Sequence, residues 1–330
     1  METIDVLRII WFFLIGLLLV GYSILDGFDL GIGSLFPLLA KNQDDKRKLF
    51  KSIGPFWDGN EVWLLTGGGA LFAAFPHAYA TVFSGFYLAF MILLFALIFR
   101  AVSIEFWYHD EERRRFWEWA FVIGSFLPSV LFGVALGNVI IGIPLNENFD
   151  FVGNFFTLLR PYPLILGILG LLMILLQGIS YSILKTDGEL KERSYRIARK
   201  IWIIFIIIFI ISFIATLIWM PENLTKLLAW FFVALSLLFW ILYGISLNKK
   251  KDGFCFLFSS LLFVSLWGIV GSIHFPYLVR ANNVPEYSLT IYNASSSLLT
   301  LKVMFIIALI GMPFVIGYTI YVYNVFKGRD

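Results

Sequence analysis

Charged residues are scarce in this sequence of 330 residues. Asp, Glu, Lys and Arg make up 14% of the chain, whereas hydrophobic residues make up 60%. A soluble domain has about 25% charged and about 45–50% apolar residues. The chain therefore has too little polar surface to coat a globule of this size, and we expect an integral membrane protein.

Residues that bind metals or cofactors are also few. The single cysteine, Cys255, excludes an intrachain disulfide and a cysteine metal cluster. Of the three histidines, only His274 lies inside an apolar run, so no pair sits on the facing mid-membrane positions that a bis-histidine haem requires. Gly67-Gly68-Gly69 lacks the lysine and the preceding strand of a phosphate-binding loop. We expect no metal site and no redox centre within the chain.

An excess of basic charge is absent as well. The 25 lysines and arginines stand against 22 aspartates and glutamates, a net charge of +3, which is too small to indicate a nucleic-acid partner. The amino terminus, Met1-Glu2-Thr3-Ile4-Asp5, lacks the basic region of a cleavable signal peptide. We therefore expect the first apolar run to remain as an anchor.

Long apolar runs are what the sequence does contain. A helix that crosses the hydrocarbon core needs about 20 mostly apolar residues. By this measure the sequence predicts an all-α protein with nine transmembrane helices in one polytopic domain over residues 1–330. The runs lie at about 6–39, 57–76, 79–100, 117–143, 160–184, 200–220, 225–247, 253–279 and 299–326.

The basic residues alternate with these runs. Of the 25 lysines and arginines, 20 fall on one predicted side, in segments 41–56, 100–116, 185–200, 248–252 and 327–330. Loops on the cytoplasmic side of membrane proteins are enriched in Lys and Arg. The pattern therefore predicts that the amino terminus is outside and the carboxyl terminus is cytoplasmic.

Two aspartates interrupt the first run near its cytoplasmic end. Asp26 and Asp29 are three residues apart and share one helical face. A charge at the centre of a spanning helix costs about 2.5–3.5 kcal/mol on insertion scales, which makes buried acids candidates for function. Alternatively, both carboxylates lie in the headgroup zone. Gly27 and Gly31, four residues apart on this segment, would allow another helix to approach closely. This close approach could serve helix packing alone or could form part of a functional site.

A second acidic pair begins the second run, in Trp57-Asp58-Gly59-Asn60-Glu61-Val62-Trp63. Asp58 and Glu61 again share a face, at the same predicted membrane level as the first pair. Asp58 alternatively caps the helix, where an acid suits the positive end of the dipole, and the tryptophans alternatively belong to an interfacial belt. Crowded carboxylates hold their protons more tightly than isolated ones, so the pattern favours a hydrated acidic pocket open to the cytoplasm.

Three further polar residues lie within the runs. Arg100 is either a counter-ion for the carboxylates or a cytoplasmic anchor of the third run. Gln177 and Asn138 are uncharged and are interpreted as hydrogen bonds between helices.

The sequence resembles subunit II of the cytochrome bd-type quinol oxidases of bacterial plasma membranes. The resemblance extends over essentially the whole chain, and its most specific block is the tryptophan-aspartate-glycine-asparagine stretch. The loop from Pro221 to Lys226 is minimal compared with longer members. The matching stretches are GYSILDGFDLGIG (21–33), IGPFWDGNEVWLLTGGGALFAAFPHAYATVFSGFY (53–87), FRAVSIEF (99–106), GNVIIGIPL (137–145), GNFFTLLRPY (153–162), QGISYSILKTDGELKER (177–193) and SLTIYNASSSLLTLKVMFIIALIGMP (288–313).

The resemblance implies two four-helix bundles plus one peripheral helix. It implies a larger partner, subunit I, that carries the quinol site and the haems, two b-type and one d-type, and it allows a small accessory transmembrane subunit. The complex oxidises quinol and reduces dioxygen to water with protons from the cytoplasm, which generates a proton-motive force without pumping. Family subunits of this kind are needed for a complete haem set, and some hold a quinone in a lipid-facing groove.

Carried onto this chain, the resemblance suggests that Asp26, Asp29 and Asp58 line a cytoplasmic proton route, assisted by Glu61 and Arg100. Trp57 is the one candidate here for the wall of a cofactor pocket. A proton- or ion-coupled transporter is the alternative, because buried carboxylates in a multi-span chain fit it too. Transporters, however, usually break paired helices near the midplane, and Pro128 and Pro313 form no obvious pair.

Overall fold

The computed structural model describes residues 2–326. The regular elements of this part of the chain are eleven α-helices, one two-stranded sheet and three short 3-10 helices at Phe155–Leu158, Pro221–Thr225 and Pro285–Tyr287. The helices are α1 Thr3–Leu39, α2 Gln43–Ile53, α3 Trp57–Ala74, α4 Pro76–Gly85, α5 Tyr87–His109, α6 Arg114–Ile141, α7 Pro161–Lys185, α8 Gly188–Trp219, α9 Leu227–Asn248, α10 Asp252–His274 and α11 Leu298–Val325, and the strands are β1 Tyr277–Val279 and β2 Leu289–Thr290. Met1 and the predicted basic segment 327–330 lie outside the described residues.

Eight of the described helices are long and apolar enough to cross a membrane, namely α1 and α5 to α11. The predicted span at 57–76 corresponds to α3, which has only 18 residues. Because polar residues occupy its first turns, α3 lacks an apolar stretch as long as those of these eight helices. The count of nine spans therefore stays a prediction.

Several helix boundaries differ from the predicted ones. The predicted run 79–100 is wrong at both ends, since Phe86 separates α4 from α5 and α5 continues to His109. Pro76 is the first residue of α4, where its missing N–H costs nothing. The run 253–279 is too long, because α10 ends at His274 and residues 277–279 pair with β2.

Two helical segments extend into regions that the sequence assigned to loops. Helix α8 begins at Gly188, twelve residues before the predicted start at 200, because its charged first turns continue the helix beyond the apolar run. Residues 43–53 form α2, an amphipathic helix capped by Asn42, whose side chain accepts the Asp45 N–H at 2.8 Å. A polar segment of this kind has no apolar run to reveal it.

Helix α1 is the centre of the packing. It contacts α3, α6, α7 and α10, while α11 lies against α1 and α3. Gly31 and Gly178 allow the closest of these approaches, because each would direct a Cβ into the backbone of the facing helix. The bundle around α1 and α7 therefore depends on residues without side chains.

The loops rich in lysine and arginine meet at one end of the fold, which we call the basic end. Ion pairs connect them there, among them Lys46 with Glu118 at 2.7 Å, Arg193 with Asp45 at 2.8 Å, and Lys191 with Asp252. Helix α2 lies across this end, where Phe50 packs between Phe36, Trp107 and Phe121. The sheet and the long loop after Ile141 lie at the opposite end.

We predict that Gly31→Ala destabilises the fold. A Cβ there would overlap the Ile174 carbonyl oxygen and lie 2.7 Å from the Gly178 Cα, so α1 and α7 would have to separate. Overpacking of this kind lowers the free energy of unfolding by about 1–3 kcal/mol. Thermal denaturation of the purified protein in detergent measures the loss. Gly16→Ala is the matched control, since a Cβ at Gly16 meets nothing within 4 Å; equal melting temperatures would contradict the prediction.

The contact between α2 and α8 is predicted to weaken in acid. Burial alone would raise the pKa of the Asp45 carboxyl, but hydrogen bonds from Arg193 and from the Lys41 N–H outweigh it and lower that pKa. A carboxyl titrates near pH 3.9 in the unfolded chain. Ionised Asp45 therefore stabilises the fold above about pH 4, and this contribution disappears as the pH falls further. The difference in melting temperature between the parent and Asp45→Asn should shrink below about pH 4; a constant difference would refute the ion pair.

Candidate functional site

A cluster of charged side chains lies where α1, α3 and α5 meet. The Arg100 Nη2 donates to Asp26 Oδ1 at 2.7 Å, and both side chains are 0% exposed. Arg100 reaches this depth because α5 packs closely on α6 at Gly124, where a Cβ would lie 2.6 Å from the Ala96 carbonyl oxygen. Of the two interpretations of Arg100, the structure supports the counter-ion.

Glu61 shares the same guanidinium nitrogen. Its Oε1 also accepts from Arg100 Nη2, and its side chain is 25% exposed where those of Arg100 and Asp26 are fully buried. One arginine thus joins a carboxylate in the interior to a carboxylate at the surface. A proton or a water molecule that reaches Glu61 from the protein surface is then separated from Asp26 only by the Arg100 guanidinium.

Asp29 is held by an amide rather than by a cation. The Asn60 Nδ2 donates to Asp29 Oδ2 at 2.8 Å and lies 3.3 Å from the Leu25 carbonyl oxygen. Asn60 is buried and belongs to the same first turn of α3 as Glu61. Asn60 was not among the predicted site residues, although its place between two predicted acids was a usable signal.

Several buried polar atoms of the cluster have no hydrogen-bond partner among the described residues. Within residues 2–326, Asp26 Oδ2, Asp29 Oδ1, Arg100 Nε and Nη1, and the Tyr22 hydroxyl are buried without a hydrogen bond. Buried polar atoms normally have partners, so such atoms call for an explanation. Atoms of this kind suit a site that binds water molecules and protons.

Asp58 stands apart from the other predicted residues. It lies one turn before Glu61 on α3, is exposed, and has no hydrogen bond or ion pair to the described part of the chain. Trp57 is half-buried and packs on the apolar core. The structure therefore brings Asp26, Asp29, Glu61 and Arg100 together and leaves Asp58 on the outer face of α3.

Of the two uncharged polar residues, Gln177 joins helices as predicted, whereas Asn138 joins α6 to the short segment that precedes α7. Gln177 Nε2 donates to the Ile24 carbonyl oxygen at 3.2 Å and to Ser260 Oγ at 3.0 Å, which connects α7 with α1 and α10. Asn138 Nδ2 donates to the Leu158 carbonyl oxygen at 2.8 Å.

A cavity of about 400 Å³ lies among α1, α6, α7, α8 and α10. Its walls are almost entirely apolar, and its polar groups include Tyr162, Thr216 and Asn223. The hydroxyls of Tyr162 and Thr216 are 3.1 Å apart, whereas both polar side-chain atoms of Asn223 are buried and lack partners among the described residues. The cavity could hold a largely apolar molecule that also carries hydrogen-bonding groups.

Comparisons with known proteins match the whole chain to one family. The family model for "Cytochrome bd terminal oxidase subunit II" matches residues 7–326. The chain is 34% identical to cytochrome bd-I ubiquinol oxidase subunit 2 of Escherichia coli strain K12, over 98% of this chain and 95% of that protein. It is 34% identical to cytochrome bd ubiquinol oxidase subunit 2 of Bacillus subtilis strain 168, over 97% and 96% of the two chains.

The fold has a solved counterpart. A chain of the bd oxidase from Geobacillus thermodenitrificans superposes with a TM-score of 0.82 at 18% identity, over 97% of this chain and 98% of that one. None of these relatives is named as a transporter, so they give no support to the transporter alternative.

Removal of the shared cation is predicted to destabilise the protein. Arg100→Gln leaves Asp26 buried without a counter-charge, and breaking a buried ion pair in this way costs about 3–5 kcal/mol. The double variant Asp26→Asn/Arg100→Gln should recover much of the loss, because it removes both charges. Melting temperatures of the two single variants and the double variant measure the coupling, with Glu105→Gln, an exposed acid on α5, as the neutral control. Additive losses in the double variant would show that the pair is not coupled.

Proposed function

Because this chain belongs to the cytochrome bd terminal oxidase subunit II family, and is thus a subunit of a terminal quinol oxidase, we propose that its acidic cluster carries protons for the oxidase. The observation that carries the proposal is the fully buried Arg100, shared by buried Asp26 and by partly exposed Glu61. A purely structural ion pair needs one carboxylate. A second, solvent-reachable carboxylate on the same nitrogen provides a place for a proton to arrive.

The charge of the cluster supports proton binding. Asp26, Asp29 and Glu61 face a single arginine, so full ionisation would leave a net negative charge in a poorly solvated place. Like charges at short distance favour the protonated form of one partner. Asp58, one turn earlier on the exposed face of α3, is suited to take up protons and to pass them to Glu61.

The direction of this transfer follows from a proposed orientation. We assign the basic end to the cytoplasm and the amino terminus to the outside, because loops rich in lysine and arginine stay on the cytoplasmic side. The cross-linking of these loops by ion pairs supports their common location. With α3 as a short ninth span, the carboxyl terminus is cytoplasmic, and the host membrane is a bacterial plasma membrane.

The proposed arrangement is two four-helix bundles and a peripheral helix. Contacts of α1 with α3 and α6 and of α5 with α6 support the first bundle, and those among α7, α8, α9 and α10 support the second. Helix α11 contacts mainly α1 and α3, and Leu301 is its only buried residue among those described, which suits a peripheral position.

Subunit I is the partner that the family implies, and we propose that it docks on the outer face of α3. That face carries Asp58 and, three turns further along α3, Gly69, where an added Cβ meets nothing within 4 Å, so a partner helix has room to approach. We also assign the haems, b-type and d-type, to subunit I. The residues here agree with that assignment, because His77 and His109 are exposed and the buried His274 has its Nε2 on the Leu278 carbonyl oxygen. A small accessory transmembrane subunit is compatible with the remaining exposed apolar faces.

The cavity among α1, α6, α7, α8 and α10 is the proposed location of a bound quinone. A quinone has an apolar tail that fits the apolar walls and a head that accepts hydrogen bonds. Asn223 supplies unpartnered polar atoms, and Tyr162 supplies a hydroxyl, for such a head. Lipid tails compete for the same walls.

Asp58→Asn and Glu61→Gln test the proton route. Each variant should reduce the rate of oxygen consumption at saturating quinol by about tenfold or more, since a positioned proton carrier contributes about 10²-fold or more to rate. The amount of complex and its haem absorbance should stay near the parental level. Glu105→Gln, an exposed acid on the neighbouring helix, should retain the parental rate. If Asp58→Asn turns over normally, Asp58 only stabilises the first turn of α3 through the helix dipole; if both variants do, the route does not pass through this subunit.

A further inference from the structure

The last turn of α11 is attached to the site more firmly than the rest of that helix. The Tyr323 ring stacks on Phe56 with centroids 4.3 Å apart. Lys185, at the end of α7, donates to the Phe326 carbonyl oxygen at 2.8 Å and lies over the same Phe56 ring. A helix that is otherwise mostly exposed thus ends in a set of specific contacts.

One of these contacts continues into the acidic cluster. The Tyr323 hydroxyl donates to Asn60 Oδ1 at 3.1 Å, and the Asn60 Nδ2 donates to Asp29 Oδ2 at 2.8 Å. The oxygen and the NH2 group of the Asn side chain lie in one plane on opposite sides of the Cβ–Cγ bond, so a half turn about this bond exchanges the acceptor and the donor. A rotated Asn60 would therefore turn its oxygen toward the Asp29 carboxylate and the Leu25 carbonyl oxygen, so that one acceptor would face two others.

We propose that Tyr323 is a positioning residue of the proton route: its hydroxyl fixes the Asn60 amide so that a donor always faces Asp29. The inference rests on the proposed function and adds to it a residue from the far end of the chain. Hydrogen bonds to the charged form of a carboxyl favour that form. The Tyr323–Asn60 pair thereby keeps Asp29 able to release the proton that it receives.

Asp29 is surrounded by other titratable and charged groups, all of which stay in place when the Tyr323 hydroxyl is removed. Those that face it from α1, α3, α5 and α7 are Asp26, Glu61, Arg100 and Tyr181, and Tyr323 itself faces it from α11. Any change in pH dependence on removal of one hydroxyl can therefore be assigned to the Asn60 contact.

Tyr323→Phe tests the inference in the complete oxidase complex. The variant keeps the ring on Phe56 and removes only the hydroxyl, so haem absorbance and melting temperature should stay parental. The acidic limb of the pH profile for oxygen consumption should move to higher pH by about half to one unit, because Asp29 loses part of a hydrogen bond to its charged form. Tyr321→Phe, on the exposed face of the same turn, is the matched control and should leave the profile unchanged.

Two further variants keep the outcomes distinct. Asn60→Ala should shift the profile in the same direction, and adding Tyr323→Phe to it should cause no further shift, because the hydroxyl acts only through the amide. If Asp29→Asn has a parental profile, the route through Asp29 is wrong and the inference falls with it. If Asp29→Asn alters the profile while Tyr323→Phe matches Tyr321→Phe, the proposed route stands and Tyr323 is only an anchor.

Discussion

A buried arginine needs a counter-charge, and the placement of α1, α3 and α5 against one another follows from this requirement. Arg100 is fully buried, and within the described chain its ion-pair partners come from two other helices, Asp26 on α1 and Glu61 on α3. An unpaired charge at this depth would destabilise the fold by more than most single contacts stabilise it. The register of α1 against α3 and of α1 against α5 is therefore fixed by charge, while apolar packing fills the remaining space.

Glycine determines how the second half of the fold joins the first. Gly31 and Gly178 bring the backbones of α1 and α7 into contact two residues beyond Asp29. Gln177, adjacent in sequence to Gly178, then donates to the carbonyl oxygen of Ile24 on α1. In a lipid environment, where apolar burial does not drive helices together, close backbone contact and hydrogen bonds between helices carry this association.

The sequence predicted the parts of the site that are charged and close together in the chain. Asp26 and Asp29, and likewise Asp58 and Glu61, were found because acids inside an apolar run stand out, and the spacing of three correctly placed each pair on one helix. Arg100 remained ambiguous because a basic residue at the end of a span is also the common anchor. Asn60 was overlooked because it is uncharged, and Tyr323 because its partner lies 263 residues away. Helix α2 was missed for a different reason: its stability comes from Phe50 packing on α5 and α6, which no local pattern records.

The three helices of the acidic cluster also leave the ribosome in an unfavourable order. Asp26 is synthesised 74 residues before Arg100, and Glu61 also precedes it by 39 residues. For that interval both acids lack their cation, and a lone charge in the bilayer centre is disfavoured by about 2.5–3.5 kcal/mol. The nascent α1 and α3 consequently have reason to stay beside the insertion machinery until α5 arrives, so that the three helices enter the lipid together, with Arg100 already between Asp26 and Glu61.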